Sequence, residues 1–180
     1  MKKRVLCVLF PGFEEIETIA PVDLLRRAGV EVLVASLTGE LLVMGRCNVT
    51  VKADVTFDEV EHQEFDLLLL PGGPGIKAVR VDGRPARLAR AYADAGKLVA
   101  AICAAPTVLA DAGLLTGRRF TSHAGVMNEL PESLVHERVV EDQNIITSRG
   151  AATSVDFGLA LVRRLCGDSV ALEVSKGIMA

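Results

Sequence analysis

The stretch LVAAICAAP, residues 98–106, indicates the fold of this chain most clearly. Leu98–Ile102 is continuously apolar, which is typical of a strand buried on both faces of a parallel sheet. Pro106 suits the first turn of a helix, because its φ is preset and it has no N–H group to leave unbonded. Alanines stand two positions before and after Cys103, and a sharp elbow between strand and helix requires such small side chains. The stretch therefore predicts a buried strand, a tight turn at Cys103 and a helix.

The same alternation of strand and helix continues along the chain. Short apolar segments predict strands at Arg4–Phe10, Glu31–Ala35, Leu67–Leu70, Leu98–Ile102, Phe120–Ser122 and Ile145–Ser148. Helical patterns cover Glu14–Ala28, Pro85–Ala95, Pro106–Ala112, Ser154–Cys166 and Ser169–Ser175. Pro21 falls inside the first helix, which either kinks or begins there, and Leu42–Asp54 predicts a small hairpin. This order indicates an α/β fold with a doubly wound, mostly parallel sheet and helices on both faces.

Length and composition exclude several classes of protein. The 180 residues suggest one domain, 1–180. Its core must be aliphatic, because 50% of the residues are hydrophobic and only 4% are aromatic. This composition excludes a disordered, collagen-like or disulfide-rich chain. A net charge of −3 gives no electrostatic reason to expect nucleic acid or an anionic membrane as a partner.

The apolar runs and the cysteines indicate a cytoplasmic protein. Val5–Phe10 follows a basic start but is too short for a signal peptide, and the longest apolar stretch, Leu98–Ala105, has eight residues. The four cysteines form no C-x-x-C pair, so we expect free thiols. The three histidines show no zinc-ligand spacing, so we expect no metal site.

Glycine, proline and polar residues collect where the predicted strands end. In a doubly wound sheet, ligands bind at that carboxyl edge. Pro71–Gly75 follows the tetraleucine strand, and the backbone N–H groups of Gly72 and Gly73 can approach a ligand closely and form an oxyanion hole. An ordinary turn also explains these glycines. The segment is neither G-x-G-x-x-G nor a Walker motif, so it does not predict nucleotide binding.

Cys103 and Glu17 are the candidates for chemistry. A cysteine at the start of a helix is stabilised as a thiolate by the helix dipole, so we expect a reactive Cys103; the alternative is a buried cysteine that packs as a small apolar residue. Glu14 and Glu15 are explained by the preference of acidic residues for a first helical turn. Glu17 is flanked by isoleucines, so it is either a semi-buried carboxylate with a raised pKa that can move protons or another helix-start charge.

One histidine and two basic positions complete the set of candidates. His123 follows a predicted strand and suits a base or a substrate contact, although a solvated loop histidine is the commoner explanation. Arg46 and the pair Arg26–Arg27 suit anion binding, and each is equally explained as a surface charge.

Taken together, the motifs resemble those of the DJ-1/PfpI superfamily, and within it the DJ-1/YajL branch. The similarity runs through nearly the whole chain, over residues 10–17, 21–29, 70–73, 100–106 and 147–150. The resemblance implies a flavodoxin-like homodimer without a cofactor. It also implies site residues: the reactive Cys103, its protonated partner Glu17, the N–H donor Gly73, the neighbouring histidine His123, and the anion-contacting arginines Arg46 and, from the partner subunit, Arg27.

The resemblance implies two main functions. The first is conversion of methylglyoxal and glyoxal, or of their adducts on protein and nucleotides, to hydroxy acids. Cys103 would attack the carbonyl, and Glu17 would move protons. The N–H group of Gly73 and that of Ala104, the residue after the cysteine, would hold the oxyanion. The second is an oxidation sensor and chaperone that works through Cys103. Peptidase activity ranks last, because the PfpI-type proteases have a histidine where Ala104 stands.

Two departures from the family pattern affect the site. The family stretch Gly-Pro-Gly-Thr appears here as Gly150–Thr153, with two alanines in the middle, which alters the expected pocket floor. His123 is followed by Ala124 and Gly125 instead of the proline found in DJ-1, which leaves its reach toward the cysteine open.

Overall fold

The structure is a computed structural model that describes residues 2–180, so Met1 lies outside it. The strands are β1 Arg4–Leu9, β2 Glu31–Ser36, β3 Leu42–Met44, β4 Thr50–Lys52, β5 Val55–Thr56, β6 Leu67–Leu70, β7 Leu98–Ile102, β8 Val139–Asp142 and β9 Ile145–Ser148. The helices are α1 Glu15–Arg27, α2 Phe57–Val60, α3 Ile76–Asp82, α4 Arg84–Asp94, α5 Pro106–Asp111, α6 Ser154–Cys166 and α7 Asp168–Gly177. Among these, no helix is both long and apolar enough to cross a membrane.

Seven strands form the central sheet, in the order β5-β2-β1-β6-β7-β9-β8. All neighbours are parallel except β8 and β9, which are antiparallel. The inner strands are buried along most of their length because helices surround the sheet, and all four leucines of β6 have no exposed surface. The predicted α/β fold with a mostly parallel sheet is therefore confirmed. The predicted hairpin is also present, as the antiparallel pair β3–β4 outside the main sheet.

Helix α1 positions the start of the candidate site. The carboxylate of Glu14 caps it by accepting from the N–H of Glu17 at 2.8 Å. The helix begins at Glu15 and continues through Pro21 to Arg27, so it does not begin at the proline. Helix α6 packs closely on α1 because Gly158 has no side chain there: a Cβ on Gly158 would lie 3.1 Å from the Cα of Pro21.

The predicted strand at Phe120–Ser122 is wrong. This buried segment forms no strand, and the N–H of Thr121 donates to the Oγ1 of Thr147 at 2.9 Å rather than to a strand carbonyl. The sheet position beside β9 belongs instead to β8, whose residues Val139–Asp142 were not predicted as a strand. The segment still leads into the site, because it ends directly before His123.

Candidate active site

Cys103 lies on the predicted elbow between β7 and α5. Its φ is +65°, a left-handed conformation that residues other than glycine rarely adopt, so the turn is strained. Two backbone hydrogen bonds fix it: the N–H of Cys103 donates to the carbonyl of Ser148 at 2.9 Å, and its carbonyl accepts from the N–H of His123 at 2.8 Å. The side chain is half-buried at the carboxyl edge of the sheet. The tight turn predicted from the flanking alanines is therefore confirmed.

Glu17 faces the cysteine across Gly72. The Glu17 side chain is 1% exposed, its carboxyl group is in hydrogen-bond contact with Cys103, and its Oε2 accepts from the N–H of Gly72 at 3.1 Å. A Cβ on Gly72 would lie 2.5 Å from this Oε2 and 2.7 Å from the Cβ of Cys103. Glycine at position 72 is therefore required for the acid and the thiol to meet.

Gly72→Ala is expected to separate the acid from the thiol and to lower about 100-fold the turnover of the dicarbonyls that the family resemblance implies as substrates, since a displacement of about 1 Å at reacting groups has that effect. The added methyl also meets the carbonyl of Ile102 at 2.9 Å, so the loop cannot absorb it by a side-chain rotation. Steady-state kinetics with methylglyoxal measures the loss. Gly39→Ala is the matched control, because a Cβ there meets nothing within 4 Å. Equal rates for both variants would contradict this geometry.

The thiol of Cys103 and the carboxyl group of Glu17 influence each other's pKa. Burial raises the pKa of Glu17 to about 7, although the hydrogen bond with Cys103 opposes the shift. Burial and the nearby Glu17 charge raise the pKa of Cys103 above its ordinary value. The thiolate expected from the helix dipole stays a prediction, because burial and the Glu17 charge act against it. Helix α5, whose dipole favours the thiolate, has only six residues.

The raised pKa of Glu17 makes folding stability pH-dependent. Its pKa rises from 4.5 to about 7 on folding, so the native state binds the proton more tightly than the unfolded state. This contribution is complete below pH 4.5 and is lost as the pH rises to about 7, by up to about 3 kcal/mol. The free energy of unfolding in urea, measured for wild type and Glu17→Gln from pH 4.5 to about 7, isolates the contribution of Glu17. A difference between the two that does not change with pH would contradict the assignment.

Two backbone N–H groups, those of Gly73 and Ala104, are the candidate donors of the site. Among residues 2–180, no oxygen accepts from the N–H of Gly73, and the N–H of Ala104 points to the Cys103 sulfur. Gly73 has a φ of +120°, and a Cβ there would lie 2.7 Å from the backbone nitrogen of Glu14. The N–H group of Gly73 therefore has no oxygen acceptor within residues 2–180, and donors of this kind are what an oxyanion site requires.

His123 is beside the elbow, with its side chain exposed. Its Nδ1 accepts from the N–H of Gly125 at 3.0 Å, which leaves Nε2 to hold the proton in the neutral ring. A Cβ on Gly150 would lie 3.6 Å from the His123 ring, so the glycine loop after β9 lies against the imidazole. The structure brings the backbone of His123 to Cys103, and the ring stands at the edge of the site.

The two candidate arginines occupy different places. Arg46 is exposed at the tip of the β3–β4 hairpin, and its positive charge acts on Glu17. Arg27 is half-exposed at the far end of α1, where its guanidinium pairs with Asp23 at 2.6 Å. Ten residues of helix separate it from Glu17, about 15 Å. Arg27 is therefore remote from the Cys103 of its own chain.

Sequence reasoning missed one residue that connects the loops of the site. Arg80 of α3 donates to Asp111 at the end of α5 at 2.7 and 2.9 Å, and to Glu129 at 2.6 Å. Helix α3 follows the Pro71–Gly75 loop, α5 follows the cysteine elbow, and Glu129 lies in the segment that follows His123. No local pattern indicates such a contact, because its partners are 31 and 49 residues away.

No metal centre accompanies this arrangement in the described part of the chain, where no three His, Cys, Asp or Glu side chains are grouped to hold an ion. The four cysteines are free thiols: Cys7 is buried, Cys47 is exposed, and Cys103 and Cys166 are half-buried.

The fold and site together define a class: α/β proteins with a cysteine on a strained elbow at the carboxyl edge of the sheet, against a buried glutamate. The chain belongs to the DJ-1/PfpI family, whose model matches residues 3–164. This confirms the resemblance seen in the sequence motifs.

Relatives of known structure and name support this membership. The chain is 39% identical to Protein dj-1beta of Drosophila melanogaster, over 99% of this chain and 98% of that protein. It is also 39% identical to Deglycase PfpI of Pyrococcus furiosus, over 81% and 89% respectively. The crystal structure of Drosophila melanogaster DJ-1beta matches with a TM-score of 0.96 and 38% identity, covering 100% of this chain and 99% of that one. Oxidized DJ-1 of Toxoplasma gondii matches with a TM-score of 0.93 and 31% identity, covering 98% of each chain.

Proposed function

We propose that this protein is a cofactor-independent thiol enzyme that converts methylglyoxal and glyoxal, or their adducts on protein and nucleotides, to hydroxy acids. One observation supports this most strongly: a buried carboxyl with a pKa of about 7 is in hydrogen-bond contact with a cysteine on a strained elbow. A general base with a pKa near the working pH is the most effective at neutral pH. The name of the Pyrococcus furiosus relative, a deglycase, agrees with this reaction class.

The first step forms a hemithioacetal. The Cys103 sulfur bonds to the aldehyde carbon while the ionised Glu17 takes the thiol proton, so the protein needs no free thiolate beforehand. The carbonyl π electrons move to oxygen, and the N–H groups of Gly73 and Ala104 stabilise the resulting oxyanion. This division of labour fits the raised pKa of Cys103, because its proton leaves only as the new bond forms.

The following steps move hydrogen within the substrate. The oxyanion is protonated from Glu17, and the carboxylate then takes the proton from the former aldehyde carbon to give an enediol. Protonation of the neighbouring carbon gives a thioester, and water hydrolyses it to lactate and free Cys103. Methylglyoxal and water thus become lactate and a proton, without a net redox change. His123, at the edge of the site, is placed to assist the proton transfers from its Nε2.

A covalent adduct on Cys103 tests this chemistry. Rapid quenching during turnover, followed by peptide mass spectrometry, is expected to show a methylglyoxal-mass adduct on the Cys103 peptide. Exposed Cys47 and half-buried Cys166 serve as internal controls, and an adduct on them instead of Cys103 would remove Cys103 from the mechanism.

Oxidation sensing is the second candidate function. The half-buried Cys103 can be oxidised to a sulfinate, and a protonated Glu17 can donate a hydrogen bond to it. The Toxoplasma gondii relative is described as oxidized. Both functions use the same pair of side chains, and repeated turnover by the reduced protein separates them, because a sensor reacts once for each oxidation.

We also propose that the protein is a homodimer. Five large apolar side chains, each 44–68% exposed, cluster beside the site on α1 and the hairpin: Ile16, Ile19, Leu42, Met44 and Val49. Exposed apolar patches of this kind mark association surfaces. The family resemblance assigns a site role to Arg27 of the partner subunit, and the Arg27 of the same chain lies too far from the site to take that role.

Ile19→Glu is expected to convert the dimer to a monomer, because it places a charge in the apolar surface. Multi-angle light scattering measures the change in mass. Val81→Glu is the matched control, since Val81 is 89% exposed and lies on α3, which contributes no residue to this surface. A wild-type protein that is already monomeric would contradict the proposal.

A further inference from the structure

The tip of the β3–β4 hairpin, residues 45–49, is attached to the start of α1. The Oε1 of Glu15 accepts from the N–H of Cys47 at 2.7 Å and from that of Val49 at 3.5 Å. The N–H of Arg46 donates to the carbonyl of Phe13 at 2.8 Å. The Glu15 carboxylate therefore binds the backbone on one side of Arg46, and the loop before α1 binds the backbone of Arg46 itself.

The hairpin tip lies directly on the Glu15 side chain. Gly45 is buried between the exposed residues Met44 and Arg46. A Cβ on Gly45 would lie 2.6 Å from the Cδ of Glu15 and even closer to its Oε1. Although burial opposes ionisation, the N–H groups of Cys47 and Val49 hold the pKa of Glu15 below its ordinary value, so the carboxylate is charged at neutral pH. Its role is therefore more specific than the helix-start preference suggested by the sequence.

We propose that Glu15 is a positioning residue that holds Arg46 beside the Cys103 site and thereby makes Cys103 prefer electrophiles with an anionic group. The proposal rests on the proposed roles of Arg46 and Cys103. Two contacts support it: the Glu15 carboxylate binds the backbone of the hairpin tip, and the carbonyl of Phe13 binds the N–H of Arg46. The charge of Arg46 also acts on Glu17, which lies against Cys103. Substrates that present a carboxylate or phosphate near the carbonyl, such as adducts on nucleotides or acidic peptides, are the class it selects.

Simple electrostatics and positioning make opposite predictions for Glu15. If Glu15 acted only through its charge, removing that charge would favour anionic reagents at Cys103. If Glu15 positions Arg46, removing the side chain lets the tip move away and disfavours anionic reagents. Glu15→Gln separates the two, because its amide oxygen can still accept from the N–H of Cys47 while the charge is lost.

The test compares alkylation of Cys103 by anionic iodoacetate and neutral iodoacetamide, in a Cys47→Ser background that removes the exposed thiol at the tip. Arg46→Met is expected to lower the iodoacetate-to-iodoacetamide rate ratio about fivefold, the effect of one charge at short range in a high dielectric. Glu15→Ala is expected to lower the ratio as well, but by less, because the loss of its negative charge acts in the opposite direction. The double variant Glu15→Ala/Arg46→Met is expected to lower the ratio no further than Arg46→Met does. Glu15→Gln is expected to keep or raise the parent ratio.

Amide hydrogen exchange of residues 45–49 confirms that the tip has been released. Faster exchange in Glu15→Ala with an unchanged or raised rate ratio would overturn the proposal, as would an unchanged ratio in Arg46→Met. Alkylation requires only the Cys103 thiol and no turnover. A protein that fails to make lactate but shows the expected ratios therefore refutes the proposed enzyme activity and leaves the role of Glu15 standing.

Discussion

Cys103→Ser is expected to lower kcat/KM for methylglyoxal by more than about 10³-fold, because nucleophile replacements have effects of this size or larger. The pKa of a serine hydroxyl lies far above that of a thiol, and a carboxylate with a pKa of about 7 cannot take its proton efficiently. The variant is also expected to gain no oxygen at position 103 when treated with peroxide. Lactate formation measures the first effect, and intact-mass spectrometry measures the second.

A control must show that Cys103→Ser keeps the wild-type fold. Serine fits the space of cysteine and can adopt the same left-handed backbone, so circular dichroism and the thermal midpoint are expected to stay close to wild type. Cys166→Ser is the matched thiol variant and is expected to retain full turnover, because Cys166 lies at the end of α6. Turnover that survives in Cys103→Ser would exclude this cysteine as the nucleophile.

Glu17→Gln is expected to lower kcat about 10²- to 10⁴-fold, the usual effect of removing a general acid–base group. Glutamine can still accept the hydrogen bond from the N–H of Gly72, but it cannot take the thiol proton. In wild type, kcat/KM is expected to rise as Glu17 ionises, with an apparent pKa of about 7 that belongs to the coupled pair. This rise is expected to disappear in Glu17→Gln. Measuring lactate formation from pH 5 to pH 9, about two units on each side of that value, tests both statements.

Glu17→Asp provides the comparison for the role of the proton. Aspartate keeps the titrating group but shortens it by one methylene, so activity is expected to fall between that of wild type and that of Glu17→Gln. A Glu17→Gln enzyme with the wild-type rate and pH profile would make Glu17 a structural residue and would leave Cys103 without its base.

The parts of the fold that could be predicted are those whose signal is local. The tetraleucine strand β6 and the strand before Cys103 are apolar throughout, as strands covered on both faces must be. The elbow was predictable because only small neighbours fit around a strained nucleophile turn. The burial of Glu17 was inferred from Ile16 and Ile19, but both isoleucines are exposed, so they do not report the burial of the carboxyl group.

The rest depends on contacts between distant parts of the chain. Phe120–Ser122 has a strand-like composition, but Thr147 takes its backbone hydrogen bond, and the edge position goes to β8. Burial and the charge of Glu17, which raise the pKa of Cys103, act through the folded site, so the sequence around the elbow does not report them. The contact between Glu15 and the hairpin tip joins residues 32 positions apart, which no local pattern reports.

The most direct test of the central claim is the number of lactate molecules that one fully reduced protein chain produces from methylglyoxal, without glutathione or added metal. If Cys103 and Glu17 form a catalytic pair, lactate accumulates linearly to many equivalents per chain while Cys103 stays a free thiol. Lactate that stops at one equivalent per chain or fewer would contradict the account and leave oxidation of Cys103 as the function of the site.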